Sequence, residues 1–184
     1  SDEFIFKLCE PCKPRDYCTQ YQETDLHFVR RLCEEEGIHF HFQHRREQHL
    51  LVFADDPVQL PALNAPVPHL QSNGLVNDTP VINTFRVRLA TRPGKASHQN
   101  YHFQAPRLDL LSSAAGDGRK ELEDYQYPAP FTERRLGTQL ARKALERNRS
   151  DYQLAKGESD QGALVSGHLF QFDHPKADWQ QEWL

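Results

Sequence analysis

The clearest pattern along the chain is a helical period that gives way at once to a strand period. In "TDLHFVRRLCEEEG" (24–37), Leu26, Val29, Leu32 and Cys33 recur at helical spacing and mark one apolar face. Thr24 is a natural N-cap, Asp25 places negative charge at the positive end of the helix dipole, and Gly37 is the expected stop. Arg30 and Arg31 point outward with Glu34 and Glu35 at i,i+4 spacing. From residue 38 the period becomes two. Ile38, Phe40 and Phe42 share one face, and His39, His41 and Gln43 share the other. "HRREQ" is a polar turn, and "HLLVFAD" (49–55) returns as a second strand. Phe40 and Phe42 are expected to pack on the helix at 24–36, leaving His39 and His41 on the polar face of the hairpin.

Other stretches give shorter signals. "FIFKL" (4–8) and "YCTQYQ" (17–22) read as short strands, with Pro11 and Pro14 breaking the chain between them. Residues 56–80 hold five prolines together with Asn64, Asn73 and Gly74, a connector with little regular structure. "VINTFRVRLA" (81–90) and "ASHQNYHFQAP" (96–106) are strand-like, and 107–128 is polar and irregular with a tip at Gly116–Gly118. "FTERRLGTQLARKALERNRSDYQ" (131–153) predicts a second helix, with a stripe of Leu136, Leu140 and Ala144 widened by Ala141 and Leu145. Its Arg135, Arg142 and Arg149 share a solvated face. "ALVSGHLFQFDHP" (163–175) is a glycine-punctuated strand region, and "WQQEWL" (179–184) pairs with it or with another strand. The proline-rich connector places a domain break: 1–70 as a helix-plus-hairpin domain, 78–184 as a β-rich domain carrying the helix at 131–153.

Composition narrows the function classes. The chain of 184 residues is 38% apolar and 26% charged with net charge −4, which gives no reason to expect nucleic acid as a partner. No run of roughly 18 apolar residues occurs, so no transmembrane helix is predicted. The start lacks the basic patch and apolar core of a signal peptide, and the absence of methionine suggests a piece of a longer chain. Cys9, Cys12, Cys18 and Cys33 crowd into the first fifth of the chain. Disulfide-stapled domains spread their cysteines, so these read as reduced thiols of a cytoplasmic fold.

Two clusters could carry chemistry. His39 and His41, at i and i+2 on a strand, could both reach one metal ion, with a third ligand from His49 or from elsewhere in the chain, whereas His44 falls on the phenylalanine face. "CEPC" (9–12) has the spacing of redox pairs and of half a zinc site, for which Cys18 and Cys33 are the available further ligands. Yet no amphipathic helix begins behind it, and no second CxxC follows. A zinc- or thiol-dependent module is therefore the alternative reading. No G-x-S-x-G, phosphate loop or H-E-x-x-H occurs, and the paired carboxylates sit in a helix tail and a turn. No catalytic, cofactor-binding or metal-ligating residue is assigned, and neither a cofactor nor a small-molecule substrate is expected.

The stretch "RDYCTQYQETDLHFVRRLCEEEGIHFHFQH" resembles the VgrG spike proteins of type VI secretion systems. Arg15, Tyr17, Gln20, Tyr21, Glu23, Asp25, Phe28, Arg31, Leu32, Glu34, Glu35, Glu36, Gly37 and Ile38 match the family's pattern. "HLLVFADD" looks like its second hairpin strand. "GESDQGALVSGHLFQFDHPKAD" is similar to a later segment, through Gly157, Glu158, Ser159, Gly167, Phe170, His174 and Pro175. The likeness runs in order along nearly the whole chain. It implies an α+β fold of small β-barrel-like tube domains with packed helices, like a phage baseplate hub. It also implies a structural role in a homotrimer that joins the Hcp tube to the rest of the needle and carries effector or tip proteins. Such a spike would assemble in the bacterial cytoplasm and leave through the type VI apparatus. A phage tail hub protein of the same fold is a related alternative. "CEPCK", His39 and His41 depart from the pattern.

Overall fold

The computed structural model describes residues 3–15, 17–70 and 79–184. Its elements, in order, are β1 (Glu3–Lys7), α1 (Asp25–Glu36), β2 (His39–His44), β3 (His49–Ala54), β4 (Val67–Pro68), β5 (Ile82–Leu89), β6 (Pro93–His98), β7 (Ser112–Ala115), β8 (Arg119–Gln126), α2 (Arg134–Arg149), β9 (Gln153–Ser159), β10 (Phe170–Asp173) and β11 (Glu182–Trp183). Helix and strand are thus mixed, as an α+β fold requires. The strands form sheets of order β1-β3-β2, β11-β10-β4, β5-β9 and β7-β6-β8. Each order has two free ends. Among the described residues no sheet closes on itself, so the expected barrel-like tube is not seen in them.

The backbone groups into two compact units, each assembled from separate segments. One comprises 1–11, 38–87 and 155–184; the other comprises 12–37 and 88–154. The chain passes from the first unit to the second within β5 and returns within β9.

In the first unit, Val67, Ile82, Phe172 and Trp183 are buried together, with Phe85, Phe170 and Trp179 packed around them. The Phe85 and Phe172 rings lie 4.4 Å apart. β10 pairs in parallel with β4 and antiparallel with β11, so the strand expected at 179–184 joins the one at 163–175, though the latter shortens to Phe170–Asp173.

In the second unit, α2 lies on the β7-β6-β8 sheet. Ala144 and Leu145 bury against Ala96, while Leu136 and Leu140 pack on Leu110, Ala129 and Phe131. The predicted stripe of α2 is therefore its buried face, but the helix is shorter than 131–153 because residues 153–159 form β9. Other expectations fail. Residues 17–22 form no strand, because side chains rather than a strand partner hold them (below). The region 107–128 is not irregular: β7 and β8 flank β6, polar side chains standing on strands whose exposed faces need no apolar residues. The predicted strand at 96–106 ends at His98. The connector carries a 3-10 turn at Pro57–Gln59, the short strand β4 and isolated bridges at Ala62 and His69; its residues 71–78 lie outside the described residues.

Candidate functional site

The matched motif builds one continuous structure in the second unit. Thr24 Oγ1 accepts from the His27 N–H (3.3 Å), and Gly37, at φ 69°, donates its N–H to the carbonyls of Cys33 and Glu34. Helix α1 thus starts and stops where the residue types require. Glu23, just ahead of the helix, accepts from Arg31 Nη2 at 2.6 Å and lies 2.6 Å from His27 Nδ1. The hydrogen bonds from Arg31 and His27 hold its carboxyl down at about 2. Arg31 also reaches Glu35 at 3.3 Å. Arg15 bridges Glu35 and Glu36, the latter at 2.8 Å, and Gln20 donates to Asp25 at 2.7 Å. The Arg, Gln and Glu of the motif are the stitches that tie Arg15 and residues 17–24 to α1. Its acidic end meets α2 through Glu36–Lys143 and Glu34–Arg147, both 3.6 Å. Tyr17, Tyr21 and Leu26 remain exposed.

The histidines divide into two pairs on opposite faces of the β1-β3-β2 sheet. Phe6, Phe53 and Phe40 align across the strands, as do Phe4, Leu51 and Phe42; Ile5, Val52 and His41 align on the other face. The expected orientation is reversed. Val52 and Ala54 are buried and His41 is only 5% exposed, whereas Phe4, Phe6 and Phe42 are 65%, 59% and 49% exposed. Phe40 meets Phe53 within the sheet, their tilted rings 5.8 Å apart. Alternation defines two faces but does not say which turns inward. Here Gly167, at φ 74°, lies so close that a methyl group on it would overlap the His41 ring. A glycine in the facing segment makes room for imidazole. His39 Nε2 and His41 Nδ1 are buried without hydrogen-bond partners. Burial lowers the pKa of both, reinforced at His41 by His39, His168 and Lys7. His44 and His49 pair across the hairpin end, Nδ1 to Nδ1 at 2.8 Å.

Cys12 lies close enough to Cys33 to act on its thiol electrostatically, but among the described residues no third ligand is grouped with them. Cys9, Cys12 and Cys18 are exposed and Cys33 is buried in α1, where desolvation pushes its thiol up. The Cys9 N–H donates to Asp55 at 2.8 Å, and Gln59 reaches its Sγ at 3.4 Å. No helix starts behind Cys9–Cys12; the first begins at Asp25. Among the described residues, no three His, Cys, Asp or Glu side chains are grouped as metal ligands.

The chain belongs to the phage tail baseplate hub (GPD) family, which matches it over residues 1–184. All of it aligns with two Pseudomonas aeruginosa type VI secretion system spike proteins: VgrG4b at 47% identity over 189 residues and VgrG5 at 45%. The resemblance to VgrG proteins read from the motif is thereby borne out. The chain spans 23% and 24% of the length of these relatives. Two solved structures share the fold. The E. coli c3393 protein, a component of the type VI secretion system with structural similarity to T4 bacteriophage tail proteins gp27 and gp5, gives a TM-score of 0.59 at 19% identity, over 96% of this chain and 35% of that one. The 43 kDa tail protein of prophage MuSo2 from Shewanella oneidensis gives 0.63 at 12% identity, over 100% and 54%.

Proposed function

We propose that this chain is the hub portion of a trimeric type VI secretion spike, a structural element rather than an enzyme. The observation that carries this reading is the hub family's match over the whole chain, together with 47% identity to VgrG4b. The physical features agree. Free strand ends and an exposed phenylalanine face on β1-β3-β2 suit a protein that finishes its surfaces in an assembly. In this proposal the barrel-like tube domains are completed between copies, and the ring sits between the Hcp tube and the needle. Effector or tip proteins travel with it, after assembly in the bacterial cytoplasm and secretion through the type VI apparatus. Neither nucleic acid nor a small-molecule substrate is required.

Multi-angle light scattering on the full-length chain tests this. A mass three times that of one chain is expected, and replacing Phe4 and Phe6 by serine should shift the population toward monomer. A full-length chain that stays monomeric at high concentration would overturn the proposal.

A further inference from the structure

Strand β2 pairs on one side only, with β3, so among the described residues its other edge is open. A cleft of about 910 Å³ runs along that edge. One wall is the continuous stretch 40–45; the other is residues 59–61 with Val165, Ser166 and His168. Because consecutive residues of β2 line it, the cleft follows the strand's edge, and Lys7 of β1 marks its reach onto the His41 face of the sheet. An open edge presents backbone N–H and C=O groups from alternate residues.

The charge of the cleft is one-sided. Its fixed cations are Lys7 and Arg45, beside the imidazoles of His41, His44 and His168, and no Asp or Glu lines it. This occurs in a chain of net charge −4. Among the described residues Lys7 and Arg45 have no carboxylate partner. Cross-strand register puts Lys7 and His41 on the same face of the sheet, while Phe40 and Phe42 lie on the other.

From this geometry we propose that the cleft is a docking groove for an extended acidic polypeptide segment of a partner, which adds as a strand to the free edge of β2. The segment's backbone supplies both the donors and the acceptors that the edge lacks. Its alternate carboxylates face Arg45 and His168, and the intervening apolar side chains face Phe40 and Phe42. A nucleic-acid strand matches the charge but not the edge, since its phosphates offer acceptors only.

The test uses a fluorescein-labelled peptide of alternating Glu and Val, about six residues long as strands commonly are. Its anisotropy is followed with the full chain at about 0.1 M salt, where charges within ~10 Å still attract. Saturable binding is expected. It should vanish when Lys replaces Glu, and fall about tenfold or more when alternate peptide nitrogens are methylated, which removes donors without changing charge. The Lys7→Glu/Arg45→Glu double variant should likewise weaken binding about tenfold. Equal binding of the Glu and Lys peptides would overturn the proposal, as would indifference to N-methylation. So would a single-stranded oligonucleotide that binds more tightly than the acidic peptide. The peptide arms need only the unmodified chain, so the proposal stays falsifiable if the double variant fails to fold.

Discussion

At the scale of the residue, His41 carries the weight that its neighbours' sequence assigned to phenylalanine. Its ring is buried under Gly167, with Nδ1 unpartnered, while Phe42 stands half in water. Truncating a packed ring leaves a cavity, so His41→Ala should lower stability by about 2–3 kcal/mol, whereas Phe42→Ala should cost less than about 1 kcal/mol. Chemical denaturation of the two variants checks this, and the reverse order would mean that the phenylalanine face is the packed one. The same burial sets a pH dependence. Desolvation lowers the pKa of His39, His41, His98 and His174 below the ordinary 6.5, so the unfolded chain takes up protons first. Stability is therefore complete above about pH 6.5 and is lost as pH falls from there through the lower folded values. Glu23 acts in a separate window. Its carboxyl is held at about 2, so its contribution is present above about 4.5 and disappears as pH falls through about 2. Melting temperature should drop between roughly pH 7 and pH 5, above the window in which Glu23 acts. A profile flat across that range would show that these imidazoles are not held neutral by the fold.

At the scale of the element, α1 was the most legible feature, because its signals are local: Thr24 caps it and Gly37 ends it. The β2–β3 hairpin and β5 were legible for the same reason, since period and turn chemistry lie within a few residues. What was not legible depended on distant partners. β7 and β8 carry polar sequences, "SSAA" and "RKELEDYQ", and become strands because β6 lies between them and α2 covers the sheet. The segment 17–22 alternates like a strand, yet Arg31 and Asp25 take up its polar groups from the helix side. The N-cap makes the local claim testable. Thr24→Ala removes the acceptor for the His27 N–H and should cost about 1 kcal/mol. Thr24→Ser should cost far less, because the hydroxyl remains. Equal losses in denaturation would place Thr24's importance in its methyl group instead of the cap.

At the scale of the whole molecule, the proline-rich connector suggested a chain cut in two at about 70–78, and that division is a proposal about folding. The candidate site was legible only as a family motif; the histidine and cysteine clusters attracted notice by spacing, but spacing along the chain does not determine convergence in space. The packing favours interleaved units. Val67, inside the connector but before residue 70, is buried with Ile82, Phe172 and Trp183 beyond it, and β4 pairs directly with β10. In the other unit, Glu34 and Glu36 of α1 pair with Arg147 and Lys143 of α2, and Lys13 pairs with Glu133. A fragment ending at residue 70 leaves Val67 without its aromatic partners and α1 without α2. Fragments 1–70 and 78–184, expressed separately, should each lack a cooperative thermal transition by circular dichroism, and mixing or co-expression should restore one. The exposed ion pairs add little, so the missing apolar core decides the outcome. If 1–70 melts cooperatively on its own, the division at the connector is the correct one and the core around Phe172 is dispensable to the first segment's fold.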